Sequence, residues 1–262
     1  VGEPFYEVSL TPFVVIFAFM LPIASKVGWR SKNFVDIRKI LSLILVSLAL
    51  PTSGFIWGNL SLLTFIGLFL SSWVCLGSIL ELGSFFQSYF PIFKRTNRSL
   101  IINFRLIGRT CAHFGFGLLI FGVTAVSSWE TEDIRNVEVG ESFNITSYQI
   151  VFKSIDYSVE KNFKKVSGTF EVMHKNKLVG TLFPEKRLYP SRNEVTTEAS
   201  IKPTLFNDFY IVLGNKLDEN AWVVRTYIKP FISFIWIGVI LISLGGFISL
   251  LPFNSYRNRS KA

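Results

Sequence analysis

Histidine is scarce in this sequence, and one of its two histidines lies within an apolar stretch long enough to cross a membrane. His113 follows Arg109 by four residues and precedes Gly117 by four, so the three residues share one face of a helix. Ionisable side chains within membrane spans are rare and usually face a protein interior, a cavity or a cofactor. This face therefore offers an imidazole, a cation one turn away and a position without a side chain.

Such a face suits a flat, bulky, anionic cofactor, and haem b has the matching chemistry. Neutral imidazole is an axial ligand of haem iron, so His113 is the candidate metal ligand. Gly117 would let the macrocycle approach the helix, and Arg109 would pair with a propionate. The alternative is that His113 bonds a neighbouring helix, Gly117 serves helix packing and Arg109 is a topology-setting cation. The residue pattern by itself favours this alternative.

The other residues capable of chemistry narrow the function further. His174 lies in a polar segment expected on the opposite side of the bilayer, as an ordinary surface histidine, so a second axial ligand must come from elsewhere. Cys75 and Cys111 lie in apolar runs without a CxxC pair, which indicates packing and excludes disulfide and zinc sites. No paired-carboxylate site, Ser-His-Asp set, Walker loop or dinucleotide fingerprint occurs, which argues against hydrolases and nucleotide-driven pumps.

The elements that position these residues are predicted from hydropathy. The 262 residues are 50% hydrophobic with a mean hydropathy of +0.42, too apolar for an ordinary soluble domain. Five charge-free runs predict a polytopic α-helical protein with five spans. They are residues 8–25, two spans from 40–80 divided by a turn at Pro51–Gly54, residues 110–129 and residues 230–256. Without Met or a leader before the first run, we expect Val1 to lie within a longer chain.

Charge predicts the orientation of these spans. The connecting segments 26–39 and 81–109 each carry a net charge of +4, the tail adds +3, and residues 129–225 carry −1. Basic loops face the cytoplasm, so residues 129–225 should lie outside it, in the periplasm of a Gram-negative host with the spans in the inner membrane. The net charge of +9 is therefore a topology signal, which implies membrane lipid and no nucleic acid as a partner.

The sequence predicts three regions: a four-span region over residues 1–128, an extracytoplasmic antiparallel β domain over 129–226, and a last span with a basic tail over 227–262. The β domain is predicted as a barrel or sandwich from runs of β-branched and aromatic residues between turn formers. These runs are Tyr148–Phe152, Gly168–Met173, Leu178–Phe183, Glu194–Ile201, Phe209–Leu213 and Ala221–Tyr227. Glu185, Lys186 and Arg187 form a charged cluster that is typical of a solvated turn or a local ion pair.

Several short stretches together resemble the carboxy-terminal part of the CcmF family of cytochrome c-type biogenesis proteins. They extend from the first residue nearly to the last: Val1–Tyr6, Ala112–Gly115 with Gly122, Pro184–Arg187 with Tyr189, Thr197–Ala199, and Tyr227–Phe231 with Trp236, Gly238, Gly245 and Gly246. The resemblance implies a subunit of a haem lyase that joins haem to apocytochrome c. Implied partners are the haem chaperone CcmE, CcmH-type subunits, apocytochrome c and a missing amino-terminal part of the same protein.

In this family a haem b is held between two membrane histidines, and His113 matches the second of them. The first histidine and the tryptophan-rich segment that grips substrate haem lie upstream in the family and do not occur here, so this chain alone is expected to be inactive. The resemblance makes haem ligation the favoured role of His113. It leaves a partner-binding and a structural role for Glu185, Lys186 and Arg187 equally open. The rival function is a haem-free, membrane-anchored β-domain scaffold of an envelope assembly complex.

Overall fold

The computed structural model describes residues 3–25, 37–57, 61–96, 104–218 and 220–251. The chain divides into two units, a helical unit of residues 1–124 with 234–262 and a β unit of residues 125–233. Residues 26–36, which carry part of the predicted cytoplasmic charge, and the basic tail from 252 onward lie outside the described ranges.

The helical elements over the described ranges are α1 (Glu3–Ala24), α2 (Ile37–Ser47), α3 (Ala49–Trp57), α4 (Leu62–Thr96), α5 (Phe104–Trp129) and α6 (Ser233–Leu250). Among these, α5, α6 and the Leu62–Gln87 part of α4 are long and apolar enough to cross a membrane, and α1 contributes the shorter apolar stretch Val8–Ala24. These apolar helices are those of a membrane protein. The number of spans and their orientation stay predictions.

The predicted turn at Pro51–Gly54 is wrong, because these residues are helical within α3. Only Leu48 separates α2 from α3, and the Thr52 amide donates to its carbonyl at 3.1 Å. Proline lacks an N–H and would leave the Ser47 carbonyl, four residues before Pro51, without a donor. The Ser72 hydroxyl of α4 donates to that carbonyl at 2.6 Å, so a side chain from another helix replaces the missing backbone bond.

The prediction that residues 81–109 form one connecting segment is also wrong. Helix α4 continues to Thr96 and α5 begins at Phe104, so Glu81 and Arg109 both lie within helices. Residues 97–103 between them lie outside the described ranges. Charge marks where a chain leaves lipid, but it does not end the backbone hydrogen bonding of a helix.

Trp73 belongs to the buried apolar cluster of the helical unit. Its side chain is fully buried, its Nε1 donates to the Phe19 carbonyl of α1 at 3.0 Å, and its ring stacks against Phe19 at 5.6 Å between centroids. Beside it, a Cβ added at Gly77 would lie 2.7 Å from Cβ of Pro22. The close packing of α1 on α4 therefore depends on the absence of a side chain at Gly77.

Helices α5 and α6 pack antiparallel through pairs of glycines. A Cβ added at Gly108 would lie 2.5 Å from the Gly245 carbonyl oxygen, and one at Gly115 would lie 2.6 Å from that of Gly238. Small residues let helix backbones approach within membranes, where burial of apolar side chains gives no driving force for association. This contact fixes the face of α5 that carries Gly108 and Gly115 against α6.

The β unit is a sandwich of two antiparallel sheets, which agrees with the predicted sandwich alternative. Its strands are β1 (Thr131–Glu138), β2 (Ser142–Ile145), β3 (Tyr148–Val159), β4 (Lys164–His174), β5 (Lys177–Leu182), β6 (Glu185–Tyr189), β7 (Glu194–Glu198), β8 (Ser200–Lys202), β9 (Asn207–Lys216) and β10 (Ala221–Pro230). One sheet has the order β1-β10-β9-β8 and the other β2-β3-β4-β6-β7, with β5 paired to β4. Stacked Phe152 and Phe170, both fully buried, lie in the core between them.

The six predicted runs lie wholly or mainly in strands, but β1, β2 and β6 were not predicted. The interpretation of Glu185–Arg187 as a turn is wrong, because these residues belong to β6, which pairs with β4 on one side and β7 on the other. Charged side chains weaken the strand signal of a sequence. In β6 the charged side chains are compatible with a strand because each has a partner within the β unit.

Candidate functional site

The face of α5 that carries His113 lies between its contacts with α1 and α4. Phe116 packs edge-on against Phe17 of α1 at 5.5 Å between ring centroids, and Gly117 meets Cys75 of α4. With 3.6 residues per turn, the position of His113 on the helix falls between these two. Its side chain is half-buried. The imidazole therefore lies away from the α6 contact.

The imidazole of His113 makes no hydrogen bond to any residue in the described ranges. A histidine that joins two membrane helices would bond a side chain or carbonyl of the neighbouring helix. No such bond is seen for His113 within the described ranges. Its role as a ligand stays a prediction.

Arg109, one turn before His113, forms an ion pair with Glu81 of α4. The carboxylate side chain is only 11% exposed, whereas that of Arg109 is 45% exposed. Arg109 is thus anchored by a carboxylate, and its remaining N–H groups are the ones that a ligand anion would use.

Sequence reasoning missed Glu81 because it was counted among the charges of a connecting segment. A signal was present: Glu81 is the single charged residue between Lys39 and Lys94. An isolated acid within such a long apolar stretch is a functional-site hypothesis in its own right. Its partner could not be read from the sequence, because Arg109 lies 28 residues further along the chain.

Gly117 does not leave open space on α5. A Cβ at this position would lie 2.4 Å from Cys75 Sγ and 3.2 Å from the Ser71 carbonyl oxygen of α4. The Cys75 thiol also lies 3.7 Å from the Phe114 carbonyl, within reach of a weak sulfur hydrogen bond. The position is therefore filled by α4, which is the helix-packing role that the sequence left open, and a macrocycle has no room over Gly117.

The donor set limits the kind of metal that this face can hold. No group of three or more His, Cys, Asp or Glu side chains suited to a metal ion occurs among the described residues. A single imidazole holds a metal firmly only when the other ligands come from a prosthetic group or another chain. Haem brings four nitrogen ligands of its own, so the residues present fit an axial haem ligand and do not fit a bare metal ion.

The charged cluster of β6 is held within the β unit. Glu185 accepts hydrogen bonds from Lys165 at 3.0 Å and from Arg187 at 2.9 Å, and the Arg187 guanidinium lies 5.0 Å from the centre of the Phe163 ring. Desolvation acts to raise the pKa of the Glu185 carboxyl, but the two cations outweigh it and its pKa lies below the usual value.

Lys186 points to the other face of the same strand, where it donates to the Asn215 side chain and lies 3.5 Å from the Gly214 carbonyl oxygen. Glu185, Lys186 and Arg187 therefore do not present one common surface, and each has a partner inside the domain. This supports the structural role. Binding of a partner protein by these residues stays a prediction.

His174 is engaged within the β unit. Its Nδ1 lies 3.1 Å from the Ser147 carbonyl oxygen, and its ring centroid lies 4.7 Å from that of Tyr148. The ring is thus packed and hydrogen-bonded at the turn that precedes β3. These contacts give His174 a local structural role.

Known proteins resemble the chain over both units. Residues 128–230 match the family model described as the CcmF C-terminal beta-sandwich. The chain is 34% identical over 268 residues to the cytochrome c-type biogenesis protein ccl1 of Rhodobacter capsulatus, across 100% of this chain and 39% of that protein. The chain is therefore similar to the carboxy-terminal part of the CcmF proteins. It is also 29% identical over 267 residues to CcmF of Escherichia coli, across 99% of this chain.

A solved structure described as the cytochrome c heme lyase CcmF has the same fold, with a TM-score of 0.75 over 96% of this chain and 41% of that one at 17% identity. The chain spans about 39% of the length of the first curated relatives that it matches. The predicted resemblance to the carboxy-terminal part of CcmF is therefore confirmed.

Proposed function

We propose that this chain is the carboxy-terminal part of a haem lyase subunit in cytochrome c maturation and that His113 is an axial ligand of a membrane haem b. The relatives are named as cytochrome c-type biogenesis proteins, and a structure of the same fold is named a heme lyase. The observation that carries the ligand assignment is the half-buried imidazole of His113, which has no hydrogen bond within the described ranges.

In this proposal, His113 binds iron through one ring nitrogen and α5 holds the ring in place. Contacts of α5 with α6 at Gly115 and with α4 at Gly117 fix the orientation of the helix around His113. Haem, when bound, supplies one-electron redox chemistry. Arg109 supplies N–H groups for an anionic substituent of the macrocycle, and Gly117 serves packing.

The second axial ligand comes from outside this chain. The sequence holds one further histidine, His174, and its ring is occupied by the Ser147 carbonyl and Tyr148 within the β unit. An amino-terminal part of the same protein or a second polypeptide is the proposed source. Substrate-haem binding and lyase activity belong to that complete assembly.

The surrounding assembly follows from the same proposal. The spans lie in the inner membrane, five in number, with the β unit in the periplasm, as the charge distribution predicts. There the β unit meets the haem chaperone CcmE, CcmH-type subunits and apocytochrome c. The near-neutral charge of residues 129–225 is compatible with this location.

The test is a haem spectrum of the chain purified in detergent together with its amino-terminal part. We expect a reducible b-type spectrum that disappears in His113→Ala. His174→Ala is the matched control, because it removes the other imidazole, and it should retain the spectrum. Full haem content in His113→Ala would reject the ligand assignment. A wild-type complex that carries no haem would instead favour the haem-free scaffold, which the packing role of Gly117 also fits.

A further inference from the structure

Glu81 is a carboxylate in an unusual environment. It lies in the Leu62–Gln87 segment of α4, which is apolar enough to cross a membrane, and its side chain is only 11% exposed. A charge in such a place is unfavourable unless it is paired, and intramembrane ionisable residues usually serve a function. Its partner among the described residues is Arg109 of α5.

The position of this pair links it to His113. Arg109 and His113 are four residues apart on the same face of α5, about 6 Å along the helix axis. The ion pair of Arg109 with Glu81 therefore lies about one helical turn from the imidazole. With both side chains present, the net charge of the pair is zero, so the field of the carboxylate opposes that of the guanidinium at the ring.

We propose that Glu81 is a positioning residue for the haem site, which holds Arg109 and compensates its charge beside His113, and that the pair thereby sets the redox potential of the iron. This inference rests on the proposed function, since it requires iron on His113. It goes beyond that function because it assigns a role to a carboxylate that does not contact the ligand histidine.

The physical reason is electrostatic. An uncompensated positive charge near the iron favours the reduced, less positive state, and the effect of a charge at a few ångströms is large where the surroundings are apolar. With Glu81 present, its negative charge compensates that of the guanidinium, so the preference for reduced iron is removed. Without the carboxylate, Arg109 keeps its charge and loses its anchor.

The experiment is a potentiometric titration of the haem in the chain purified with its amino-terminal part. We expect Glu81→Gln to raise the midpoint potential, and Glu81→Gln combined with Arg109→Gln to return it close to the wild-type value. Glu81→Asp should keep the wild-type potential, since it retains the charge. Ser78→Ala is the control in the same helix, because its hydroxyl bonds the Val74 carbonyl of α4 itself, and it should leave the potential unchanged.

An unchanged potential in Glu81→Gln, or a double variant that keeps the shift, would overturn this inference, because a purely structural pair would not produce a charge-dependent pattern. If Glu81→Gln does not accumulate, Arg109→Gln alone replaces it. The carboxylate of Glu81 is then uncompensated and favours the oxidised, more positive iron, so a lower potential is expected and an unchanged value again overturns the inference. Retention of haem in His113→Ala would instead reject the proposed function itself.

Discussion

The Ser72 hydroxyl of α4 donates to the backbone carbonyl of Ser47, which is the carbonyl that Pro51 leaves without a donor. The contact joins residues 25 positions apart and is buried. Within lipid, an unsatisfied carbonyl cannot turn to water, so its partner must come from the protein. A serine on a neighbouring helix therefore allows a proline inside an apolar helix.

We expect Ser72→Ala to lower the free energy of unfolding by about 1–3 kcal/mol, the usual cost of leaving a buried polar group unpaired. Pro51→Ala in the same background should recover much of this loss, because alanine restores the N–H that bonds the Ser47 carbonyl. The measurement is unfolding of the detergent-solubilised chain. A loss of equal size in both the single and the double variant would contradict this explanation.

Gly117→Ala should destabilise the packing of α5 on α4 by about 1–3 kcal/mol, as overpacking does in other cores. Its Cβ would lie 2.4 Å from Cys75 Sγ, a separation that requires one helix to move. Gly246→Ala in α6 is the matched control, since a Cβ there meets nothing within 4 Å among the described residues. Thermal unfolding in detergent compares the two, and equal stability would show that Gly117 is not a packing position.

Glu185 should give the β unit a pH-dependent stability. In the folded chain the pKa of the Glu185 carboxyl is below its usual value. Its contribution to the free energy of unfolding is therefore fully present above the pKa that this carboxyl has in the unfolded chain. That contribution is lost as the pH falls through the folded-state pKa. Glu185→Gln should reduce this loss of stability in acid. Glu194→Gln, at an exposed position of β7, is the control. Tryptophan fluorescence during unfolding between neutral and acidic pH measures the effect, and an unchanged pH dependence in Glu185→Gln would contradict it.

The proposed orientation can be tested by cysteine labelling of the chain in membranes, in a background with Cys75→Ala and Cys111→Ala. A cysteine that replaces Lys164, in the β unit, should react with a membrane-impermeant reagent added from the periplasmic side. A cysteine that replaces Lys39, in α2, should react only after the membrane is opened, because its segment carries the cytoplasmic charge. The reverse pattern would overturn the orientation.

Local patterns were sufficient for much of this protein. The apolar runs predicted the helices, and runs of β-branched and aromatic residues predicted most strands. Both predictions succeed because membrane insertion and strand formation depend mainly on the residue types within one local segment. The position of His113 within an apolar run identified the candidate ligand by the same logic. The family motifs, taken together, predicted the relationship to CcmF.

Only the tertiary structure decided which residues meet across the sequence. Ser72 took the Ser47 carbonyl that Pro51 leaves without a donor, Cys75 filled the space over Gly117, and Glu81 took Arg109 as its partner. Each of these depends on which side chain a second helix places opposite the first. Hydropathy and spacing describe one helix at a time, and they hold no information about that second partner.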